Sequence, residues 1–439
     1  MKIRIGWCMI VTLAFMLLVG CDLNMMSTST ATPTVSEPVM VDSTPSPTLE
    51  VSPTPTSAPF TGLTTITLWV PDFMPLYNEA GEATYLMEQI EAFNQTNRSI
   101  QVDVLVKKST GPGGLYDLLE TGSQAAPEVI PDLLLLNETD LRKAANAALV
   151  QPMPESITVP TSTYSLAIEA TQQPTVSYGV PFLMDIEQTV YNPRVALTAP
   201  LSWTSVLSGG YSLLFPAAPP NDLADDALIA AYLGSGGTIV DEAGEPFLDR
   251  AILEDLYGFF GDLRTEESIN VQLVSELPDA AACWEAYQER QGTLSVVTAA
   301  EYWSAENRVD APGWIPTADG TPYGLAHFWS VALVTQDPVR QDAALRLIAW
   351  LKEPERLALA SQQMVMLPTS RETLALWGLL PEDLDFIDTL LTTAALPPLI
   401  EEIDRPVRRA LQAGLVVMLG ESPATPEQAA AQALTVLRK

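Results

Sequence analysis

The chain has 439 residues and is strongly acidic, since 54 Asp and Glu residues against 22 Lys and Arg residues give a formal net charge of −32. Nucleic acid is not expected as a partner, because few cations are available to neutralise its phosphates. Three cysteines and one histidine exclude a disulfide framework and most Cys/His metal sites. The sequence also contains no P-loop, no HExxH motif and no GxGxxG motif before a helix. We therefore expect no metal and no cofactor, while a pair of carboxylates remains open as a catalytic possibility.

The first 20 residues have the composition of a secretory signal peptide. Lys2 and Arg4 form a basic start, and an apolar run from Trp7 to Leu18 follows, which is too short to span a bilayer comfortably. The run ends in Leu18-Val19-Gly20-Cys21, which resembles a lipobox. We expect cleavage after residue 20 and a lipid on Cys21; the alternative is an ordinary signal peptide or short anchor with an incidental cysteine.

Residues 21–62 are rich in Ser, Thr and Pro, and their few charges are all acidic. They have no apolar periodicity with which to bury a face, so the composition predicts a lipidated Cys followed by a disordered, extended stalk. The stalk would hold a folded body outside the cytoplasmic membrane, at the cell surface or in a periplasm.

The beginning of the body predicts an α/β lobe with a mainly parallel sheet, because strands alternate with helices. Thr64 to Val70 and Ile100 to Val106 alternate as strands do, and Asp132 to Asn137 is apolar like a buried parallel strand. Glu79 to Thr96 has helical spacing. Thr139 can cap a further helix that runs to Leu149.

The rest of the body continues with helices and strands. The pattern predicts helices over 222–233, 250–263 and 342–351, strands over 293–298 and 329–335, and a mostly helical end from 381 to 439, broken at Pro423 and Pro426. Residues 63–439 are too many for one compact core, so we expect two lobes.

The order of these segments resembles that of the extracellular solute-binding proteins of ABC importers, in the group of maltose-binding protein and related sugar-binding lipoproteins. Six pieces in order carry the resemblance: Ile66-Thr-Leu-Trp-Val70 with Phe93-Asn-Gln-Thr-Asn97; Pro131-Asp132 with Leu149-Val-Gln-Pro152; Tyr178-Gly-Val-Pro181 with Val190-Tyr-Asn-Pro193; Leu201-Ser-Trp203; Gly292 to Trp303; and Ala343 to Leu351 with Pro354-Glu355 and Leu367-Pro-Thr-Ser370.

The resemblance implies a two-lobed periplasmic-binding-protein-like fold of type II. Each lobe would be a mainly parallel sheet flanked by helices, and a hinge would join the two. The first lobe would comprise residues 63–180 and 317–365, and the second lobe residues 185–312 and 366–439.

The function implied is capture of a small ligand, most consistent with a sugar or oligosaccharide, and its delivery to the transmembrane subunits of an ABC permease by a monomeric binding protein that is not an enzyme. Two alternatives stay open. One is a secreted carbohydrate-active enzyme that uses two carboxylates. The other is an orphan binding protein that feeds a sensor.

The candidate ligand-binding residues lie at or near strand ends, where open α/β sheets bind ligands, or in segments that match the family. Trp69 either lines the cleft or belongs to the core, and Asn137 and Glu138 either cap a helix or bind ligand. Trp303 is the expected aromatic platform, and it should converge with Trp69 and Asp185 on one cleft. The full set is Trp69, Asp72, Asn137, Glu138, Tyr178, Asp185, Tyr302, Trp303, Trp314, His327 and Trp329.

Replacement of Cys21 by Ser should block lipidation, and either release the protein from membranes or leave the signal uncut. Membrane fractionation with lipid labelling measures this. Cys8→Ser is the matched control, because Cys8 lies inside the predicted signal peptide and is removed with it. A Cys21→Ser protein that still carries label in the membrane fraction would refute the anchor.

Overall fold

The computed structural model describes residues 62–306 and 308–439. The predicted signal peptide, Cys21 and almost all of the stalk lie outside these residues. The strands are β1 (Thr64–Pro71), β2 (Ile100–Lys107), β3 (Leu133–Asn137), β4 (Gln172–Gln173), β5 (Val176–Ser177), β6 (Gly179–Tyr191), β7 (Leu213–Leu214), β8 (Leu294–Thr298), β9 (Ala311–Gly313), β10 (Gly324–Leu333), β11 (Leu367–Pro368) and β12 (Ala394–Ala395).

Helices surround these strands. They are α1 (Tyr85–Thr96), α2 (Leu115–Ala125), α3 (Glu138–Asn146), α4 (Ser165–Glu169), α5 (Trp203–Ser208), α6 (Asp226–Gly234), α7 (Arg250–Thr265), α8 (Val271–Val274), α9 (Ala280–Gln288), α10 (Ala299–Ser304), α11 (Pro338–Leu351), α12 (Pro354–Gln363), α13 (Arg371–Ala375), α14 (Pro381–Thr392), α15 (Glu401–Leu419) and α16 (Pro426–Leu437). Within the described residues, no helix is both long enough and apolar enough to cross a bilayer.

Two long strands connect two α/β lobes. The first half of β6 pairs antiparallel with β10, and the second half pairs antiparallel with β8 and β9. Strand β10 in turn pairs antiparallel with β3, which belongs to the parallel group β2-β1-β3. In the other lobe, β7 and β8 run parallel. The α/β fold predicted from the sequence is confirmed, with antiparallel pairing in the strands around β6 and β10 and in the separate pair β4–β5.

Each lobe has its own hydrophobic core. In the first lobe, one face of the sheet buries Ile66, Leu68 and Val70 of β1 against α1 and α11. The opposite face buries Leu134 and Leu136 of β3 against α2 and α3, so both faces are covered, as in parallel sheets generally. The second lobe has one larger core, to which α6, α7, α9, α15 and α16 contribute. The exact lobe boundaries remain a prediction.

Several predicted helices begin a few residues from their predicted starts, and two further differences have a local cause. Strand β10 begins at Gly324 rather than at Trp329, because His327 interrupts the apolar pattern that marks the rest of the strand. Helix α3 is capped by Asn137, whose side chain accepts a hydrogen bond from the Asp140 backbone N–H, and not by Thr139.

Leu347→Ala should lower the free energy of unfolding by about 2–5 kcal/mol, because Leu347 is fully buried in the first-lobe core and its loss leaves a cavity. Urea denaturation measures this. Leu359→Ala is the control, since Leu359 lies on the neighbouring helix α12 with half of its surface exposed. Equal losses in the two variants would contradict the assignment of the core.

Candidate functional site

A deep cleft opens at the carboxyl ends of the first-lobe strands. Two adjoining cavities of about 860 Å³ and 610 Å³ form it. Their shared lining shows that they are parts of one space: Thr110, Asn137, Thr139, Asn221, Leu223, Pro398 and Asp404. Residues from both lobes line the space, and each of the two cavities is within the size range of small-molecule sites.

The first-lobe wall begins with the loop that follows β2. Its sequence, Ser109 to Gly114, turns tightly: Gly111 and Gly113 have φ of +72° and +75°, and a Cβ on Gly114 would lie 2.7 Å from the Thr110 carbonyl carbon. Only glycine tolerates this geometry without strain. The loop places Lys108 and Thr110 on the cleft.

The N-terminal turns of α2 and α3 complete this wall. Tyr116 of α2 lines the cleft, and its hydroxyl lies 3.1 Å from a carboxylate oxygen of Glu120. In α3, Asn137 is fixed by its capping bond, so its amide is held at the cleft edge. Both helices are anchored behind the wall by buried Leu115, Leu119 and Leu141.

The second-lobe wall consists of the segment before α6 and the first turns of α15. Asn221 and Asp222 both have left-handed backbones, with φ of 63° and 56°. Consecutive non-glycine residues in this conformation cost energy, and such strain is often found at functional sites. Pro398, Glu401 and Arg405 line the same wall.

A chain of alternating charges lies at the floor of the cleft. His327 of β10 is bonded on both sides: Nδ1 lies 3.0 Å from Glu138 Oε1 and Nε2 lies 2.6 Å from Asp226 Oδ2. The other oxygen of Asp226 accepts from Arg408 at 2.6 Å. Arg408 also donates to Asp404 at 2.8 Å, and Glu138 Oε2 accepts from the Phe328 backbone N–H.

The pKa values of His327 and Asp226, the two central groups of this charge chain, favour their charged forms. Burial opposes the charge on His327, but the carboxylates of Asp226 and Glu138 outweigh it and raise its pKa well above the ordinary value. Burial likewise disfavours an ionised Asp226, but Arg408 and His327 hold the pKa of its carboxyl far below the usual range. The imidazolium form of His327 is therefore the stable one at neutral pH.

Two buried carboxyl groups lie next to the charge chain at the cleft floor. Burial, reinforced by Asp225 and Asp226, raises the pKa of Glu187 well above its ordinary value. Burial also raises the pKa of Asp225 to about 6, although a hydrogen bond with Glu187 opposes the rise. Each of the two carboxyl groups thus resists ionisation in this buried position.

The structure brings four of the candidate residues together at the cleft. Asn137, Glu138, His327 and Trp329 line it. Glu138 is almost fully buried and is bonded to β10, so it acts through protein groups and not as a helix cap. Trp329 is half-buried and packs edge-on against Phe73, with ring centroids 4.9 Å apart.

The expected convergence of Trp69, Asp185 and Trp303 is wrong. Trp303 is only 2% exposed, because α10 turns into the second-lobe core, where its ring meets Tyr302 at 4.7 Å. Tyr302 is buried beside it and donates to the Asp310 carbonyl. Trp69 is 5% exposed, since helices cover both faces of the first-lobe sheet.

Asp185 has a structural role. Its carboxylate accepts from the backbone N–H groups of Ile186 and Ala300, which ties β6 to the start of α10. Burial raises the pKa of Asp185 to about 7, although these hydrogen bonds oppose the rise.

The remaining candidates, Asp72, Tyr178 and Trp314, do not line the cleft cavities either. Asp72 is exposed and is bonded to Ser109, so it links the ends of β1 and β2. Tyr178 packs beside the first-lobe core. Trp314 packs on Phe386, with ring centroids 4.8 Å apart.

Several cleft residues were missed by sequence reasoning. Tyr116, Asp226 and Glu401 lie in the first turns of helices, and Lys143 and Arg408 lie further along helices, where polar and charged residues are ordinary. One local signal was available: the Asp225-Asp226 pair stands before an apolar run, a pattern that predicts the beginning of a helix. Among the described residues, no cluster of three His, Cys, Asp or Glu side chains suits a metal ion.

Trp303→Ala should lower the free energy of unfolding by roughly 3–5 kcal/mol, because it empties a large volume in the second-lobe core. Denaturant titration checks this. Trp329→Ala should cost less, since Trp329 is only partly buried at the cleft. A Trp303→Ala protein as stable as the parent would contradict the placement of Trp303 in the core and leave it a candidate for ligand binding.

A comparison with protein-family models finds no match. A comparison with curated protein sequences finds none either. Solved structures do share the fold. The GacH receptor of Streptomyces glaucescens, solved unliganded and with acarbose, is 15% identical and aligns with a TM-score of 0.61 over 86% of this chain and 99% of its own.

Two further structures align over similar lengths. The sugar-binding protein MalE from Xanthomonas citri is 17% identical, with a TM-score of 0.63 over 85% of this chain and 98% of its own. The maltose/maltodextrin-binding domain MalE from Bdellovibrio bacteriovorus, solved with maltotriose, is 18% identical, with a TM-score of 0.60 over 85% and 99%. The chain therefore has the two-lobed α/β fold of type II periplasmic binding proteins of the maltose-binding kind.

Proposed function

We propose that this chain is an extracellular solute-binding lipoprotein. It captures a saccharide between its two lobes and delivers it to the transmembrane subunits of an ABC permease. The observation that carries the proposal is the cleft itself, which has one wall from each lobe and lies where the long strands β6 and β10 pair between them. A site with this placement can close on a ligand by a hinge movement.

The chemistry of the cleft suits a polyhydroxylated ligand. Amide, hydroxyl and charged groups alternate along both walls, which provides hydrogen-bond donors and acceptors for sugar hydroxyls. The rings of Tyr116 and Trp329 offer aromatic surface on which an apolar sugar face can stack. The similar structures named above, solved with acarbose or maltotriose, favour the same ligand class.

The enzyme alternative has less support. A glycosidase needs two carboxyl groups that can exchange protons with substrate. Glu138, Asp226 and Asp404 are each bonded to cationic protein groups at the cleft floor, so oxygens of all three carboxyl groups are already engaged by the protein. We therefore favour binding without turnover.

Export, the anchor and the permease belong to the proposal through the sequence. The predicted lipobox at Cys21 and the Ser/Thr/Pro segment after it would tether a mobile receptor near a membrane permease. Monomeric action fits this arrangement, because one cleft serves one ligand.

A panel of neutral, acidic and amino saccharides should contain at least one class that raises the melting temperature, because a ligand that binds only the folded state stabilises it by mass action. For that saccharide, Tyr116→Ala should weaken binding by about 1–3 kcal/mol, or roughly 5- to 150-fold in Kd, through loss of aromatic burial. Isothermal titration calorimetry measures the Kd.

Tyr77→Ala is the matched control, because Tyr77 is 53% exposed and is absent from the cleft lining. It should leave the Kd unchanged. Equal weakening by both variants, or none by Tyr116→Ala, would place the ligand outside this cleft.

A further inference from the structure

The charge chain on the cleft floor joins the two lobes. Glu138 opens α3, whose Leu141 and Ala144 are buried in the first-lobe core. Asp226 opens α6, whose next residues are buried in the second-lobe core. His327, on the crossing strand β10, stands between these two carboxylates and contacts both.

Between two ionised carboxylates, only a protonated imidazole can make both contacts as hydrogen bonds. An ionised carboxylate can only accept, so each ring nitrogen must carry a hydrogen to bond the oxygen that faces it. A neutral imidazole has a single N–H. After deprotonation, one ring nitrogen would point its lone pair at a carboxylate oxygen, and the attraction on that side would become repulsion.

We propose that protonated His327 is a positioning residue, which clasps a carboxylate of each lobe and thereby holds the walls of the cleft together. Loss of its proton opens the cleft, so that the interlobe geometry depends on pH. This inference rests on the proposed function only in treating the cleft as one that opens and closes, and it involves no particular ligand.

Charged groups from every neighbouring element act on His327. Glu138 comes from α3 and Asp226 from α6, while Arg408 and Asp404 of α15 lie beyond Asp226. The other titratable neighbours are Asp225 at the α6 cap and Glu187 and Asp185 on β6. Carboxylates outnumber cations around the ring, which agrees with the raised pKa of His327.

The direction of the pH dependence follows from that raised pKa. The clasp contributes fully below the ordinary histidine pKa of about 6.5, and it is lost as the pH rises through the folded-state value. Asp185 and Asp225 have pKa values of about 7 and about 6, so they ionise within or below the same range. A measurement must therefore observe His327 itself.

The chain offers a direct probe, because His327 is its one histidine. NMR of the full chain in detergent, labelled at the histidine ring and free of any histidine tag, should give one ring signal with a midpoint well above pH 6.5. A midpoint at or below 6.5 would overturn the proposal, and this result needs no variant.

Lobe separation is measured by pulsed dipolar spectroscopy in the same full chain, with C8S and C21S so that the buried Cys283 is the remaining native thiol. Spin labels go on Val129→Cys of the first lobe and Leu197→Cys of the second, which are 59% and 91% exposed. The distance should lengthen as the pH rises through the NMR midpoint.

Three variants test whether His327 causes the change of the interlobe distance with pH. His327→Gln should show the longer distance already at pH 6.5 and lose the pH step, whereas His327→Arg should keep the short distance to alkaline pH. Lys143→Gln is the matched control: it removes the other interlobe ion pair, Lys143 to Glu401 at 2.6 Å, and should leave the pH step intact.

A distance that stays constant across the histidine midpoint in a protein that remains folded by circular dichroism would overturn the proposal. So would a wild-type pH step in His327→Gln. Because none of these measurements adds a saccharide, their failure leaves the proposed function standing, and failure of saccharide binding leaves the clasp standing.

Discussion

The antiparallel pairing of β6 with β10 is the constraint on which the rest of the structure depends. Each strand pairs with strands of both lobes, so the pairing from Ala326–Ile186 to Ala332–Gly179 joins one lobe to the other. It also places His327 and Trp329 at the floor of the space between the lobes. Helices α3 and α15 then form the walls, because each is anchored in a different core.

In this acidic protein, some of the few cationic side chains neutralise carboxylates at the cleft. Arg408 and His327 neutralise Asp226 from two sides, in a region where burial alone would disfavour its ionised form. Lys143 neutralises Glu401 at the cleft mouth, although this pair is exposed and worth little by itself. Charge pairing thus engages the side chains of the floor, while the walls present amide, hydroxyl and charged groups to a ligand.

Local patterns predicted the fold far better than the site. The alternation of Ile66, Leu68 and Val70 and the apolar run of β3 depend on nearest neighbours, and both were read correctly. Trp303 and Trp69 were misplaced because the burial of an aromatic ring depends on helices distant in sequence: α10 turns inward, and α2 with α3 covers the second face of the sheet. Asp226 and Arg408 are 182 residues apart, so no local pattern could join them.

Native mass spectrometry after incubation with a mixture of saccharides is the decisive experiment on sugar binding, because it reports the identity, stoichiometry and integrity of whatever the cleft holds. We expect one intact saccharide per chain, lost when Tyr116 is replaced by Ala and retained when Tyr77 is replaced. No retained saccharide from a broad mixture, or recovery of cleaved fragments that accumulate with time, would contradict a two-lobed protein that binds sugars without turning them over.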